Sequence, residues 1–148
     1  MAVSSTPIFA QTPYILSTSF AAVTACTTRA PTATASLAAA NIIQICPTST
    51  NGLRVDYITL NACSSAITAA TAANCFGVWI WDGTTATLLN EIVVPVVTPS
   101  ATVAAYTATY VYSNPLILPA AFRLYGSLGV TTTASTTALQ CTVFGGLY

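Results

Sequence analysis

The chain has 148 residues, 54% of them hydrophobic, with three basic and three acidic side chains and no histidine. That length supports one domain with a full core and leaves too little for a second. Three scattered arginines do not build a phosphate-tracking patch, so nucleic acid is not an expected partner. No apolar run approaches the roughly 18 residues of a membrane-spanning helix, because serine, threonine, asparagine or proline interrupts each one.

Residues 1–7 lack the basic start and continuous apolar stretch of a secretory signal, so synthesis in the cytoplasm is expected. Charged residues make up 4% of the chain, against about 25% in an ordinary soluble domain. A surface of threonine, serine, alanine and asparagine with near-zero net charge lacks the repulsion that keeps proteins apart. Burial against other subunits is the expected consequence, with a neutral, hydroxyl-coated monomer as the alternative. The cysteines are Cys26, Cys46, Cys63, Cys75 and Cys141, with no CxxC pair. Without histidine this set supports neither a zinc site nor a Cys–His catalytic pair. An odd number fits reduced thiols buried as small hydrophobes. Cys63 and Cys75, near the ends of adjacent predicted strands, are the candidate cross-strand disulfide if the protein ends in an oxidising setting.

Taken in order, residues 1–13 read as an extended arm, since Pro7 and Pro13 remove backbone donors. A first strand is expected over 14–23 and a long loop or irregular edge strand over 24–36. A further strand runs from about residue 40 to Cys46, ended by the Asn51-Gly52 turn signal. Residues 53–63 form a strand of mixed alternation. Leu53, Val55 and Tyr57 share one face, while Arg54 and Asp56 begin the other before Ile58 and Leu60 make it apolar. Arg54 and Asp56 are placed to pair as a solvated ion pair of little worth.

After a polar loop over 64–74 comes the clearest local signal. Asp82-Gly83 stands between β-favouring runs, Val78-Trp79-Ile80-Trp81 before it and Leu88 to Val94 after it. Aspartate tolerates positive φ and glycine adopts it freely, so this is a hairpin. Asp82 shapes the turn. Trp79 and Trp81, two apart on one face, are expected to anchor the sandwich or a subunit contact.

Pro95 and Pro99 break the pattern, and residues 101–112 alternate again with Tyr106, Tyr110 and Tyr112 on one face. Such a stripe is either a sugar- or partner-binding surface or core or interface with the hydroxyls at the rim. Asn114-Pro115 reads as a turn and residues 116–119 as a short edge segment. Residues 121–128 form a strand with Phe122 and Leu124 inward, and residues 131–137 a low-complexity loop. The last strand, 137–144, has Leu139, Cys141 and Val143 on one face, and the terminal Tyr148 is expected to dock. Eight or nine short strands at intervals of roughly ten residues predict an all-β fold. The expected architecture is an antiparallel β-sandwich over 14–148, jelly-roll or Greek-key in type. Jelly-roll and immunoglobulin topologies fit the spacing equally.

Catalysis has little to work with. The commonest general acid–base residue is missing, Asp82 is used by its turn, and Asp56 lies beside Arg54. A retaining glycosidase would need two carboxylates about 5 Å apart, and nothing favours pairing Asp56 with Glu91. There is no Gly-x-Ser-x-Gly elbow and no glycine-rich phosphate loop. No enzyme activity, cofactor or metal is expected.

Several stretches together resemble small structural proteins of tailed bacteriophages and prophages. They are Gly52-Leu53-Arg54-Val55-Asp56-Tyr57-Ile58-Thr59, Val78-Trp79-Ile80-Trp81-Asp82-Gly83 and Leu88-Leu89-Asn90-Glu91-Ile92. Pro99 to Tyr106, Leu116-Ile117-Leu118-Pro119-Ala120 and the ending Gly145-Gly146-Leu147-Tyr148 fit the same pattern, so the resemblance covers about the last two-thirds of the chain. It implies a β-sandwich virion protein of the head decoration or cement type, often trimeric, assembled in the host cytoplasm and seated on the major capsid protein. Tyr106, Tyr110, Tyr112 and Tyr148 are the candidate subunit or partner contacts. The alternatives are a tail or fibre component that meets the host through the tyrosine stripe, or a carbohydrate-binding module. The low charge and the additional cysteines depart from the family's pattern.

Overall fold

The structure, a computed structural model, describes residues 12–30, 32–33, 41–63, 71–132 and 138–148. Among these residues it is all-β, with strands β1 (Thr12–Phe20), β2 (Thr32–Ala33), β3 (Ile42–Gln44), β4 (Leu53–Cys63), β5 (Asn74–Trp81), β6 (Thr85–Val94), β7 (Thr107–Leu118), β8 (Arg123–Leu128) and β9 (Ala138–Leu147). They form an antiparallel sandwich. One sheet has the order β1-β9-β4-β7, and the other β6-β5-β8-β3 with the two-residue β2 added beyond β6.

Leaving β2 aside, eight strands pair from the ends of the chain inward: β1 with β9, β3 with β8, β4 with β7, and β5 with β6. This nesting is that of one long hairpin rolled into two sheets, the jelly roll. It separates the fold from the immunoglobulin sandwich, whose two sheets group their strands differently. The innermost pair of the roll is the hairpin read at Asp82-Gly83.

Why these residues pack this way is plain from the alternation. On the four-stranded sheet Phe20, Leu53, Val55, Ile58, Leu60, Leu118, Leu139, Cys141 and Val143 point inward and are buried. Phe76, Val78, Val94, Leu124 and Leu128 meet them from the other sheet. Phe20 and Phe76 join the layers edge to face, with centroids 5.0 Å apart, an arrangement that aligns ring edge with ring face.

β4 carries the first departure from simple alternation. Its register shifts between Val55 and Tyr57 against both β7 and β9. A bulge at Asp56 turns Tyr57 to the outer face and returns Ile58 and Leu60 to the core. The expectation that Leu53, Val55 and Tyr57 share a face is corrected accordingly. The expected strand over 101–112 and the turn at Asn114-Pro115 are corrected too. Residues 101–106 are not strand, and Ser100 instead closes a tight turn with Val103, the amide of each donating to the carbonyl of the other. β7 then runs unbroken through Pro115. It is an edge strand bonded only to β4, where a missing donor is tolerated. Proline also falls where β7 is out of step, between Val111 opposite Tyr57 and Leu116 opposite Val55. Likewise Pro13, expected in the arm, lies in edge strand β1 opposite Gly146. The rest of that arm, most of the 64–74 loop and residues 133–137 lie outside the described residues.

Candidate functional site

At the hairpin, Asp82 Oδ1 accepts from the amides of Thr84 at 2.8 Å and Thr85 at 2.7 Å. Those amides, Thr85 first, hold the carboxyl below its usual range. Gly83 takes φ 104°, a conformation that costs glycine little. Both residues are thus used by the turn. Trp79 and Trp81 share a face as read, but it is the outer face of the five-stranded sheet rather than the sandwich interior. Trp79 is buried there with Cys26, Ile42 and Ala86, and its Nε1 donates to Ser127 Oγ at 2.8 Å. Residues after β1 and before β4 supply the cover, which local strand patterns do not reveal.

The tyrosine stripe also exists, and it turns inward. Tyr110 lies opposite the buried Ile58, while Tyr106 and Tyr112 pack on the core. Tyr106, just before β7, donates its hydroxyl to the Val93 carbonyl at 2.8 Å, tying the start of β7 to β6 of the other sheet. Burial, then the neighbouring Tyr110 and Cys141, pushes the Tyr112 hydroxyl above its ordinary value. Tyr148 closes the chain beside Asn51, Ile117, Leu118 and Pro119 around an open hollow of about 290 Å³. Its amide donates to the Gly52 carbonyl at 3.2 Å.

All five cysteines are free thiols. Cys63, exposed, ends β4 in one sheet, and Cys75 lies in β5 of the other. Burial pushes the Cys141 thiol up to about 12 and also raises that of Cys46. No group of three or more potential metal ligands occurs among the described residues.

Four of the six charged side chains are paired within the chain. Arg29 Nε reaches both carboxylate oxygens of Glu91 at 3.0 Å. Arg54 Nη2 donates to Asp56 Oδ2 at 3.1 Å, and its Nε stands 2.9 Å from Oδ1 as a charge contact. The i, i+2 pairing read from the sequence is therefore present, at the bulge. Arg123 lies over the Trp81 ring, 5.1 Å from its centroid.

With the charges so placed, one surface stands out: the outer face of the four-stranded sheet. Strand register aligns its side chains in transverse rows. One row is Ile15, Phe144, Tyr57 and Val111; the next is Ser17, Thr142, Thr59 and Thr109; the third is Ser19, Gln140, Asn61 and Thr107. No charged residue stands in any of the three. In the apolar row Tyr57 and Phe144 stack at 4.3 Å with planes 16° apart, turning their faces to each other. Ile15 and Val111 flank them, 69% and 65% exposed on the two edge strands. The hydroxyl row is partly bonded within itself, Ser17 Oγ and Thr142 Oγ1 being 2.7 Å apart. Thr107 donates to Asn61 Oδ1 at 2.7 Å in the next. Because the aromatic faces are spent on one another, the row offers no flat platform for a sugar ring. It offers an apolar ridge bordered on one side by uncharged hydrogen-bonding groups and on the other by the internally paired Arg54 and Asp56, the make-up of a protein–protein contact core and rim. Sequence alternation placed Thr142 and Phe144 together, but the bulge that brings Tyr57 beside Phe144 was not foreseen.

The chain matches no family model and none of the curated proteins.

Proposed function

We propose that this protein is a structural subunit of a tailed-phage virion, a head decoration or cement protein that binds across neighbouring major capsid subunits. The observation that carries the reading is the set of three charge-free rows on the outer face of the four-stranded sheet, whose apolar row spans all four strands and ends in exposed Ile15 and Val111. Apolar groups in such a row gain from leaving water, and no ion in the three rows has to be desolvated. The resemblance of the hairpin and strand stretches to virion proteins supports the same reading, and jelly rolls include viral capsid domains. Fold alone does not decide function, so the weight rests on the face.

The role is non-enzymatic. Two of the three acidic side chains are engaged by arginines and the third by turn amides, and the chain has no histidine to serve as a base. Cementing works by repetition: each contact is modest, and a trimer that grips several capsid subunits multiplies them. Heads stripped of this protein are expected to lose their DNA at lower temperature or under milder osmotic shock than complete heads, and to recover when it is added back. Stripped heads as resistant as complete ones would rule out cementing.

A further inference from the structure

Arg123 is the one guanidinium without a carboxylate partner among the described residues, since the ion pairs there are Arg29–Glu91 and Arg54–Asp56. It stands directly across from Trp81 in the strand register, with its charge over the indole ring. Tyr125 meets the same ring edge-on, centroids 6.2 Å apart. Trp81 Nε1 and Arg123 Nε are both closed off from solvent and both lack an acceptor. The Arg123 side chain is half-buried. The cluster lies on the outer side of the five-stranded sheet, on the far side of the sandwich from the charge-free rows.

We propose that Arg123, seated on Trp81 beside Tyr125, is a socket for a carboxylate side chain of a different protein. This deepens the assembly reading by naming the chemistry of a second contact, and it depends on that reading only for who the partner is. A guanidinium laid on an aromatic plane is preorganised, so little freedom is lost when it captures an anion. The terminal nitrogens of a guanidinium match a carboxylate in paired hydrogen bonds. Tryptophan, tyrosine and arginine are also the residues that dominate binding energy where proteins meet. Another protein is the better source of counter-charge, because this chain carries only three acidic side chains, of which Glu91 and Asp56 pair with its own arginines and Asp82 holds its turn through Oδ1.

The socket can be read directly in the nitrogen–proton spectrum of the full chain, which holds two indole and three guanidinium Nε–H signals. Titration with a blocked glycine–glutamate–glycine tripeptide should shift the Arg123 and Trp81 signals together and saturably, at about the millimolar level, tighter than an exposed ion pair alone would bind. Trp79, bonded to Ser127, and the paired Arg29 and Arg54 should stay in place. The glutamine tripeptide should move nothing, and Arg123→Gln should weaken the Trp81 response at least tenfold while leaving the rest of the spectrum intact. Equal movement of all three arginines, or no saturable movement, overturns the socket. Shifts produced by raising protein concentration alone would make a second copy the occupant and overturn the choice of partner. None of these outcomes involves capsids, so failure here leaves the cementing role standing.

Discussion

Replacing Gly145 with alanine is expected to destabilise the protein by about 3 kcal/mol, the upper end for overpacking a close-fitted site. Gly145 lies in β9 with Tyr14 of β1 on one side and Val55 of β4 on the other. A methyl group there would strike the Arg54 carbonyl oxygen, and it would stand 2.9 Å from the Arg54 carbonyl carbon and from Tyr14 Cε1. The first obstacle is backbone, so no rotamer change relieves it. Either β9 must leave β4 at the middle of the sheet or the bulge at Asp56 must open, and the latter disturbs the inward turn of Ile58 and Leu60. Urea unfolding should show the loss as a lower midpoint with an unchanged slope. Alanine at Gly83 meets nothing within 4 Å and is strained only by φ 104°, so it should cost less, about 1–2 kcal/mol. A Gly145→Ala protein as stable as the parent would contradict the strand register.

Placing lysine at both Ile15 and Val111 should have the opposite profile, leaving the monomer unchanged and removing assembly. The two side chains are mostly exposed and sit on the edge strands, where a surface substitution usually changes stability by no more than about 0.5 kcal/mol. In a contact the same positions would bring unpaired ammonium groups against apolar surface, at a cost of several kcal/mol. Binding to stripped heads should fall at least about 100-fold, equivalent to roughly 2.7 kcal/mol. Co-sedimentation at fixed protein concentration would measure it. Lysine is also the residue by which natural edge strands discourage pairing. Its absence from this whole chain is therefore consistent with edges and faces meant to be covered.

Much of the fold was legible because strand alternation and turn chemistry are local. The Asp82-Gly83 hairpin, the 53–63 strand and the inward set Leu139, Cys141 and Val143 could all be read from neighbours in sequence. What escaped depends on partners far along the chain. The bulge at Asp56 exists because β4 is held between β7 and β9, and it alone moves Tyr57 from the inner set to the outer face. Proline at 115 looked like a turn because a single sequence does not show that β7 is an edge. The tryptophans were correctly placed on one face, yet which face they occupy depends on cover from distant segments. The proposed assembly face was the least legible. Its rows join β1, β9, β4 and β7, four strands from both ends and the middle of the chain, and only the nested pairing of the jelly roll brings them side by side. The scarcity of charge gave the general direction without the place.

The claim that the outer face of the four-stranded sheet is the assembly contact can be tested by hydroxyl-radical footprinting of the free protein and of intact heads. Tyr57 and Phe144 report on that face, and Tyr110, partly exposed on the inner side of β7, reports on a surface outside it. The account predicts that Tyr57 and Phe144 lose most of their labelling in heads, while Tyr110 keeps its own. Equal labelling of Tyr57 and Phe144 in the free and assembled protein would contradict it.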